Sequence, residues 1–312
     1  MKNVKASIYG YIIGDAMGLP LKNKTRKELL KKPVNQMLEN EKLAREKGHW
    51  SNNTSLVLAT IDSIIKNEEK INYSDIMRNY CEVVDSGKYT STEIPAFGIG
   101  KTTMEALNNY HNNINPLECG NKKYEKNDNE SLARMLPVVL YCYYKNVKDN
   151  DIYSIVKKYS SLTHAHQLSV MACYIYARFL LYILKGKNKI DAYKLIKCIN
   201  YDTYFRKEII GEYSRVLTDD LKELKIEEIQ STSNVVDTLE ATIWVILNTN
   251  SYKQAIVGAI NLGGDTNTIG ALVGGIAGVI YEVDDIPNQW IDEIRNKELI
   301  NKIVLDLVMQ LY

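Results

Sequence analysis

Three short stretches of this sequence join glycine to oxygen- or nitrogen-bearing side chains at spacings suited to ligand chemistry, and a fourth carries two histidines. In Gly48-His-Trp-Ser-Asn-Asn-Thr54, Ser51 or Asn52 is a good N-cap for a following helix, whose first N–H groups have no partner inside the helix. Asn261-Leu-Gly-Gly-Asp-Thr-Asn-Thr268 sets a Gly263-Gly264 turn before Asp265, Thr266 or Asn267, each able to cap the apolar run from Ile269. Both stretches place short polar side chains at a helix N-terminus, the end that favours anions through free N–H groups and the helix dipole. Capping alone is sufficient to explain either one. Phe97-Gly-Ile-Gly-Lys-Thr-Thr103 reads as a loop whose backbone N–H groups can hold a phosphate, with Lys101 adding charge, ahead of a helix from about Met104. Its spacing is not that of a P-loop. Leu162-Thr-His-Ala-His-Gln167 opens an apolar helix. Residues two apart on a helix point in different directions, so His164 and His166 do not read as a paired metal site.

These stretches must be positioned by helices. Leu56, Ala59, Ile61, Ile64 and Ile65 fall on one helical face, as do Leu136, Val139, Leu140 and Tyr143. Val170, Tyr174, Ala177 and Leu181 repeat the pattern, and so do Val236, Leu239, Ile243 and Leu247. Period-2 alternation is scarce, so the expected fold class is all-α. Two helices carry small residues at every fourth position: Ala6, Gly10, Gly14, Gly18 and then Gly270, Gly274, Gly278. Glycine costs a helix about 0.5–1 kcal/mol relative to alanine. A repeated stripe therefore points to another helix in close approach. Residues 22–47 are highly charged, and residues 110–129 are rich in Asn and read as a surface loop. Neither resembles a domain linker, and one domain over residues 1–312 is expected.

Composition narrows the classes. The chain has 312 residues, 39 Lys+Arg against 38 Asp+Glu, and is 45% hydrophobic and 25% charged. That is ordinary for a globular protein and excludes disorder for most of the chain. A net charge of +1 gives no electrostatic case for a nucleic-acid partner. The five cysteines are widely spaced with no Cys-x-x-Cys, which argues against a disulfide framework or a zinc site. The apolar run near the N-terminus is broken by glycines and stopped by Asp15, unlike a signal peptide. The longest apolar run, Ile269 to Tyr281, falls short of the roughly 20 residues that span a bilayer. A cytoplasmic protein with no membrane partner is the expectation.

Taken in order, the stretches resemble the ADP-ribosylglycohydrolase family, the dinitrogenase-reductase-activating glycohydrolase type. The matching pieces are Gly10-Tyr-Ile-Ile-Gly-Asp-Ala-Met-Gly-Leu-Pro20, Trp50-Ser-Asn-Asn-Thr-Ser55, Gly98-Ile-Gly-Lys-Thr-Thr-Met-Glu-Ala-Leu107 and Asn129-Glu-Ser-Leu-Ala-Arg134. Leu162-Thr-His164, Val235-Val-Asp-Thr-Leu-Glu-Ala241 and Ala259-Ile-Asn-Leu-Gly-Gly-Asp-Thr-Asn-Thr-Ile-Gly270 complete them. Each is modest alone; their order makes the resemblance specific. It implies a single orthogonal helical domain whose central cleft holds two Mg²⁺ or Mn²⁺ ions and cleaves ADP-ribose from modified protein side chains. It also implies a ligand-binding set of Gly98, Ile99, Gly100, Lys101, Thr102, Asn129, Ser131, His164, Gly263 and Gly264.

Departures from the family pattern fall on its chemistry. Where members typically read Thr-Asp-Asp, this chain has Ser51-Asn52-Asn53, and where they read Gly-Gly-Asp-Thr-Asp-Thr it has Gly263 to Thr268 with Asn267. Ser51 and Thr268 keep hydroxyls at metal positions, Asn52, Asn53 and Asn267 are neutral amides, and Asp265 is the one carboxylate kept there. An amide carbonyl can ligate a hard cation but brings no charge, so two dications would repel each other with too little countercharge. The dimetal centre is expected to be absent, with at most one weak ion at Asp265. Lys22 stands at the position of a family Glu, and Gly98 at that of a family Asp, which leaves no assigned catalytic residue. Glu130 replaces a glycine and adds bulk and charge to a ligand loop. The expected function is binding of ADP-ribose or an ADP-ribosylated protein with weak or no hydrolysis. An active ADP-ribosyl hydrolase is the alternative. A structural or interaction protein, with Lys22 and Glu130 plugging its pocket, is the third.

Overall fold

The computed structural model describes residues 2–41, 44–67, 70–92, 94–96 and 98–311. The chain is 67% helical. Among the described residues the only β pairings are isolated bridges, Asn40 with Arg45, Asn121 with His164 and Asp128 with Asn234. The last two tie down the second half of the Asn-rich stretch, whose first two residues, 110 and 111, end helix Lys101–His111. Asn121 N donates to Thr163 O (2.9 Å) and Ala165 N to Asn121 O (2.8 Å). Farther on, Asn129 N donates to Ser233 O (3.1 Å) and Val235 N to Asn127 O (3.1 Å).

The apolar faces read from the sequence become helices Asn52–Lys66, Leu136–Tyr144, Gln167–Leu184 and Val235–Asn248. Gln167–Leu184 is long and apolar enough to cross a membrane by length and composition, which the sequence reading had not singled out, yet 89% of it is buried inside the fold. It packs against helices Asp149–Ser160, Lys189–Lys197 and Val235–Asn248, and it carries Arg178.

The two small-residue stripes meet. Helix Lys2–Gly18 lies antiparallel along helix Thr266–Tyr281, with Gly10 opposite Gly274, Gly14 opposite Gly270 and Gly18 opposite Thr266. A Cβ on Gly14 would stand 1.9 Å from Gly270 O, and one on Gly278 2.2 Å from Ala6 O. Only backbones without side chains approach this closely, so the helix-propensity cost of the glycines is offset by packing. The Thr266 hydroxyl closes the end of the pair by donating to Gly18 O at 2.8 Å.

Candidate functional site

The C-terminal end of helix Lys2–Gly18 and the N-terminal ends of helices Asn52–Lys66 and Thr266–Tyr281 converge beneath a cleft of about 490 Å³. Its floor is organised by Asp15, which is fully buried. Asp15 Oδ2 accepts from Ser51 N (3.0 Å), Thr54 N (3.2 Å) and Thr54 Oγ1 (2.7 Å). Its Oδ1 accepts from Ser51 Oγ (2.7 Å) and Asn267 Nδ2 (3.2 Å). Burial pushes the Asp15 carboxyl above the usual carboxylate range, and the bonds from Thr54, Ser51 and Asn267 oppose that push. Ser51 is the N-cap, its hydroxyl accepting from Asn53 N. Asn267 also donates to Ser51 Oγ (3.1 Å), and its own Oδ1 is buried with no hydrogen-bond partner.

Above this floor stands Asp265, 5% exposed. It occupies the N-cap position of helix Thr266–Tyr281 without making a side-chain cap. Its Oδ1 lies 3.1 Å from Lys22 Nζ, and its Oδ2 accepts from Asn129 Nδ2 at 2.7 Å. Lys22 reaches it because two backbone bonds, Asn23 N to Gly264 O and Gly264 N to Lys24 O, both 2.9 Å, clamp residues 22–24 onto the glycine turn. Gly264 has φ +69°, and a Cβ there would meet Ser231 O at 2.1 Å, so a side chain is excluded twice over. Asn53 Nδ2 donates to Thr268 Oγ1 at 3.0 Å. Asn52, Asn53 and Thr268 complete this wall.

The opposite wall is acidic. The loop before Asn129 delivers Asp128, whose Oδ1 lies 2.7 Å from His164 Nε2 and whose Oδ2 accepts from Thr102 Oγ1 at 2.5 Å. Burial works against the charged form of Asp128. His164, Thr102 and Arg134 outweigh it and hold the carboxyl at about 2. His164 is fully buried, and its Nδ1 lies 2.7 Å from Thr163 Oγ1. The buried Arg134 guanidinium donates to that hydroxyl and to Glu130 O, the latter at 2.8 Å. Glu130 Oε1 accepts from Gly100 N at 2.6 Å. Ligand atoms of Asp128, Glu130 and His164 lie within 4.8 Å of one another, the one such group found among the described residues. Asp128 already sits on His164 Nε2, so an ion bound there would have to replace that hydrogen bond.

Of the expected ligand-binding residues, Gly98, Gly100, Lys101, Thr102, Asn129 and Gly264 line the cleft. Four others stand elsewhere. Ser131 is fully buried beside Ser160 Oγ (3.1 Å) and Cys173 Sγ (3.5 Å), because the short helix Glu130–Ala133 turns that face inward. His164 acts from behind Asp128. Gly263 packs against residues 24–26, where a Cβ would stand 2.5 Å from Arg26 N. Ile99 is absent from the cleft lining. Among the metal-position residues, Asn52, Asn53, Asp265 and Thr268 face the cleft, while Ser51 and Asn267 belong to the layer around Asp15. Asp265 is therefore not the solitary acid expected: Asp128 and Glu130 share the cleft and Asp15 underlies it. Asp15, Asp128 and Arg134 were not singled out in the sequence. The helix expected from Met104 begins at Lys101, and His166, not His164, caps helix Gln167–Leu184 by accepting from Leu168 N.

A family model described as ADP-ribosylglycohydrolase matches residues 1–312. The chain is 28% identical over 313 residues to the ADP-ribosylarginine hydrolase Tri1 of Serratia proteamaculans (strain 568), covering 98% of this chain and 79% of that protein. It is 28% identical over 138 residues to the ADP-ribosyl-[dinitrogen reductase] glycohydrolase of Rhodospirillum rubrum, covering 44% of this chain and 41% of that one. Its fold is similar to the solved structure of an ADP-ribosylglycohydrolase-related protein complex, with a TM-score of 0.82, 22% identity and coverage of 100% and 98%.

Proposed function

The chain belongs to the ADP-ribosylglycohydrolase family, and from that premise we propose that it binds ADP-ribose, free or carried on a modified protein, in a cleft that works without paired metal ions and hydrolyses weakly or not at all. The observation that carries this reading is the Lys22–Asp265 contact of 3.1 Å. An ammonium stands on the one carboxylate retained at the family's metal positions, and Asn129 holds its other oxygen. Asn53 and Asn267 direct N–H groups at Thr268, Asp15 and Ser51. Around Asp265 such a donor set suits an organic cation among amide dipoles and does not fit two dications, whose repulsion needs several anionic ligands, while Asp128 and Glu130 across the cleft are engaged by His164, Thr102 and Gly100 N. The set leaves room for one weakly held ion at most.

Calorimetric titration with ADP-ribose in EDTA tests the reading. We expect a saturable heat, and silence at millimolar ligand would sink it. One observation favours a second reading, turnover of an ADP-ribosyl linkage. The ionised Asp128 and the adjacent Glu130 bring carboxylates into the cleft, and glycosidic cleavage uses such groups to stabilise an oxocarbenium-like centre. Release of ADP-ribose from ADP-ribosyl-arginine at equal rates in EDTA and in Mn²⁺ would establish that alternative.

A further inference from the structure

We propose that Glu130 is a specificity-determining residue of the cleft. Its carboxylate takes, from within the chain, the seat that residues 98–102 offer to a ligand phosphate, and so governs how tightly a diphosphate is held. The inference concerns charge selection and goes beyond the reading of ADP-ribose as the ligand.

Helix Lys101–His111 has Gly100 as its N-cap and therefore no side-chain cap of its own. Its anion-favouring end is answered by two carboxylates from one loop. Glu130 Oε1 accepts from Gly100 N at 2.6 Å, and Asp128 Oδ2 from Thr102 Oγ1 at 2.5 Å. Gly100 has φ −67°, a conformation open to any residue, so glycine is not required there by backbone geometry. A Cβ would instead stand 2.6 Å from Glu130 Oε2. The missing side chain is what lets the carboxylate lie against the chain. Glu130 Oε2 is shielded from water and has no hydrogen-bond partner, so the seat is occupied without being fully satisfied. The main chain of Glu130 is fixed by Arg134 on its carbonyl, and the preceding Asn129 N is bonded to Ser233 O. An arriving phosphate must therefore displace the Glu130 side chain or accept a like charge at contact distance. Lys101, exposed on the same turn and part of the cleft lining, supplies the opposing attraction.

The test is calorimetric titration of inorganic pyrophosphate, in EDTA, into wild type, Glu130→Gln and Glu130→Gly, with each variant's melting curve recorded. Glu130→Gln keeps the size of the side chain and an acceptor for Gly100 N–H while removing its charge. Affinity should rise roughly tenfold in Glu130→Gln and further in Glu130→Gly. Adding Lys101→Ala to Glu130→Gln should reverse most of the gain. Unchanged or weaker pyrophosphate binding in both single variants would overturn the proposal, as would a gain indifferent to Lys101→Ala. Tighter pyrophosphate binding with no heat from ADP-ribose in any variant would support the role of Glu130 and separately sink the reading of ADP-ribose as the ligand.

Discussion

Asp15 on the floor of the cleft and Asp265 on its wall are both buried carboxylates, yet they are satisfied in different ways. Every donor to Asp15 described above is a neutral N–H or O–H from Ser51, Thr54 or Asn267, all anchored at the starts of two helices. Asp265 instead receives one amide and one ammonium, and the ammonium belongs to a lysine whose side chain is 41% exposed. A neutral, fully enclosed set of donors fixes architecture. A charged partner reaching in from a loop can be exchanged for something else. Floor and rim thus differ in kind, the one enclosed by the fold and the other held by a contact that solvent reaches.

The sharpest way to break this comparison is Asp15→Ala. It strips the acceptor from several buried donors at once and should cost on the order of 3–5 kcal/mol in urea unfolding. A loss below about 1 kcal/mol would show that the floor is no more essential than the rim. Gly14→Ala comes next. Helix propensity alone would favour it by about 0.5–1 kcal/mol, but the 1.9 Å approach to Gly270 O should turn that into a loss of about 2–3 kcal/mol. A stabilised variant would contradict the packing account.

Smaller effects lie on the rim. The Asp128 carboxyl titrates at about 2 in the fold against an ordinary 3.8. A depressed carboxylate stabilises the native state above its unfolded value, and that contribution fades as pH falls from about 4 towards about 2. Asp128→Asn should flatten this part of the stability profile, and an unaltered acid limb would refute the assignment. Smallest should be Lys22→Ala, at about 1 kcal/mol, because only the lysine of the pair is solvent-exposed and Asn129 still holds Asp265. The same position sharpens the comparison when it is combined with new charge. Lys22→Glu with Asn52→Asp, Asn53→Asp and Asn267→Asp should gain Mn²⁺-dependent thermal stabilisation. Equal stabilisation of wild type by Mn²⁺ would defeat the metal-free reading.

The sequence made some of this plain and hid the rest for physical reasons. The glycine stripes were legible because a period of four has one geometric meaning on a helix, and Ser51 capped as its position required. The family pattern located the cleft. It did not tell which side of a turn each residue would face, so Ser131 and Gly263 fell into the core and His164 into a supporting layer. The role of Asp15 is not legible in the sequence, because a lone acid in an apolar helix declares its purpose only once five donors surround it. Asp128 was concealed in an Asn-rich loop that reads as solvent-exposed. Its neighbours in space, Thr102 and His164, are 26 and 36 residues away, and no local pattern links them.

The hydrogen bond between Asn267 and Asp15 spans 252 positions, and Gly14 waits on Gly270 across a similar stretch. At the ribosome's pace of about 5–20 residues per second, tens of seconds separate the synthesis of the two partners. For that interval the first helix carries a naked glycine groove and an unsatisfied acid, a segment that chaperones would be expected to shelter until its late-made counterpart arrives.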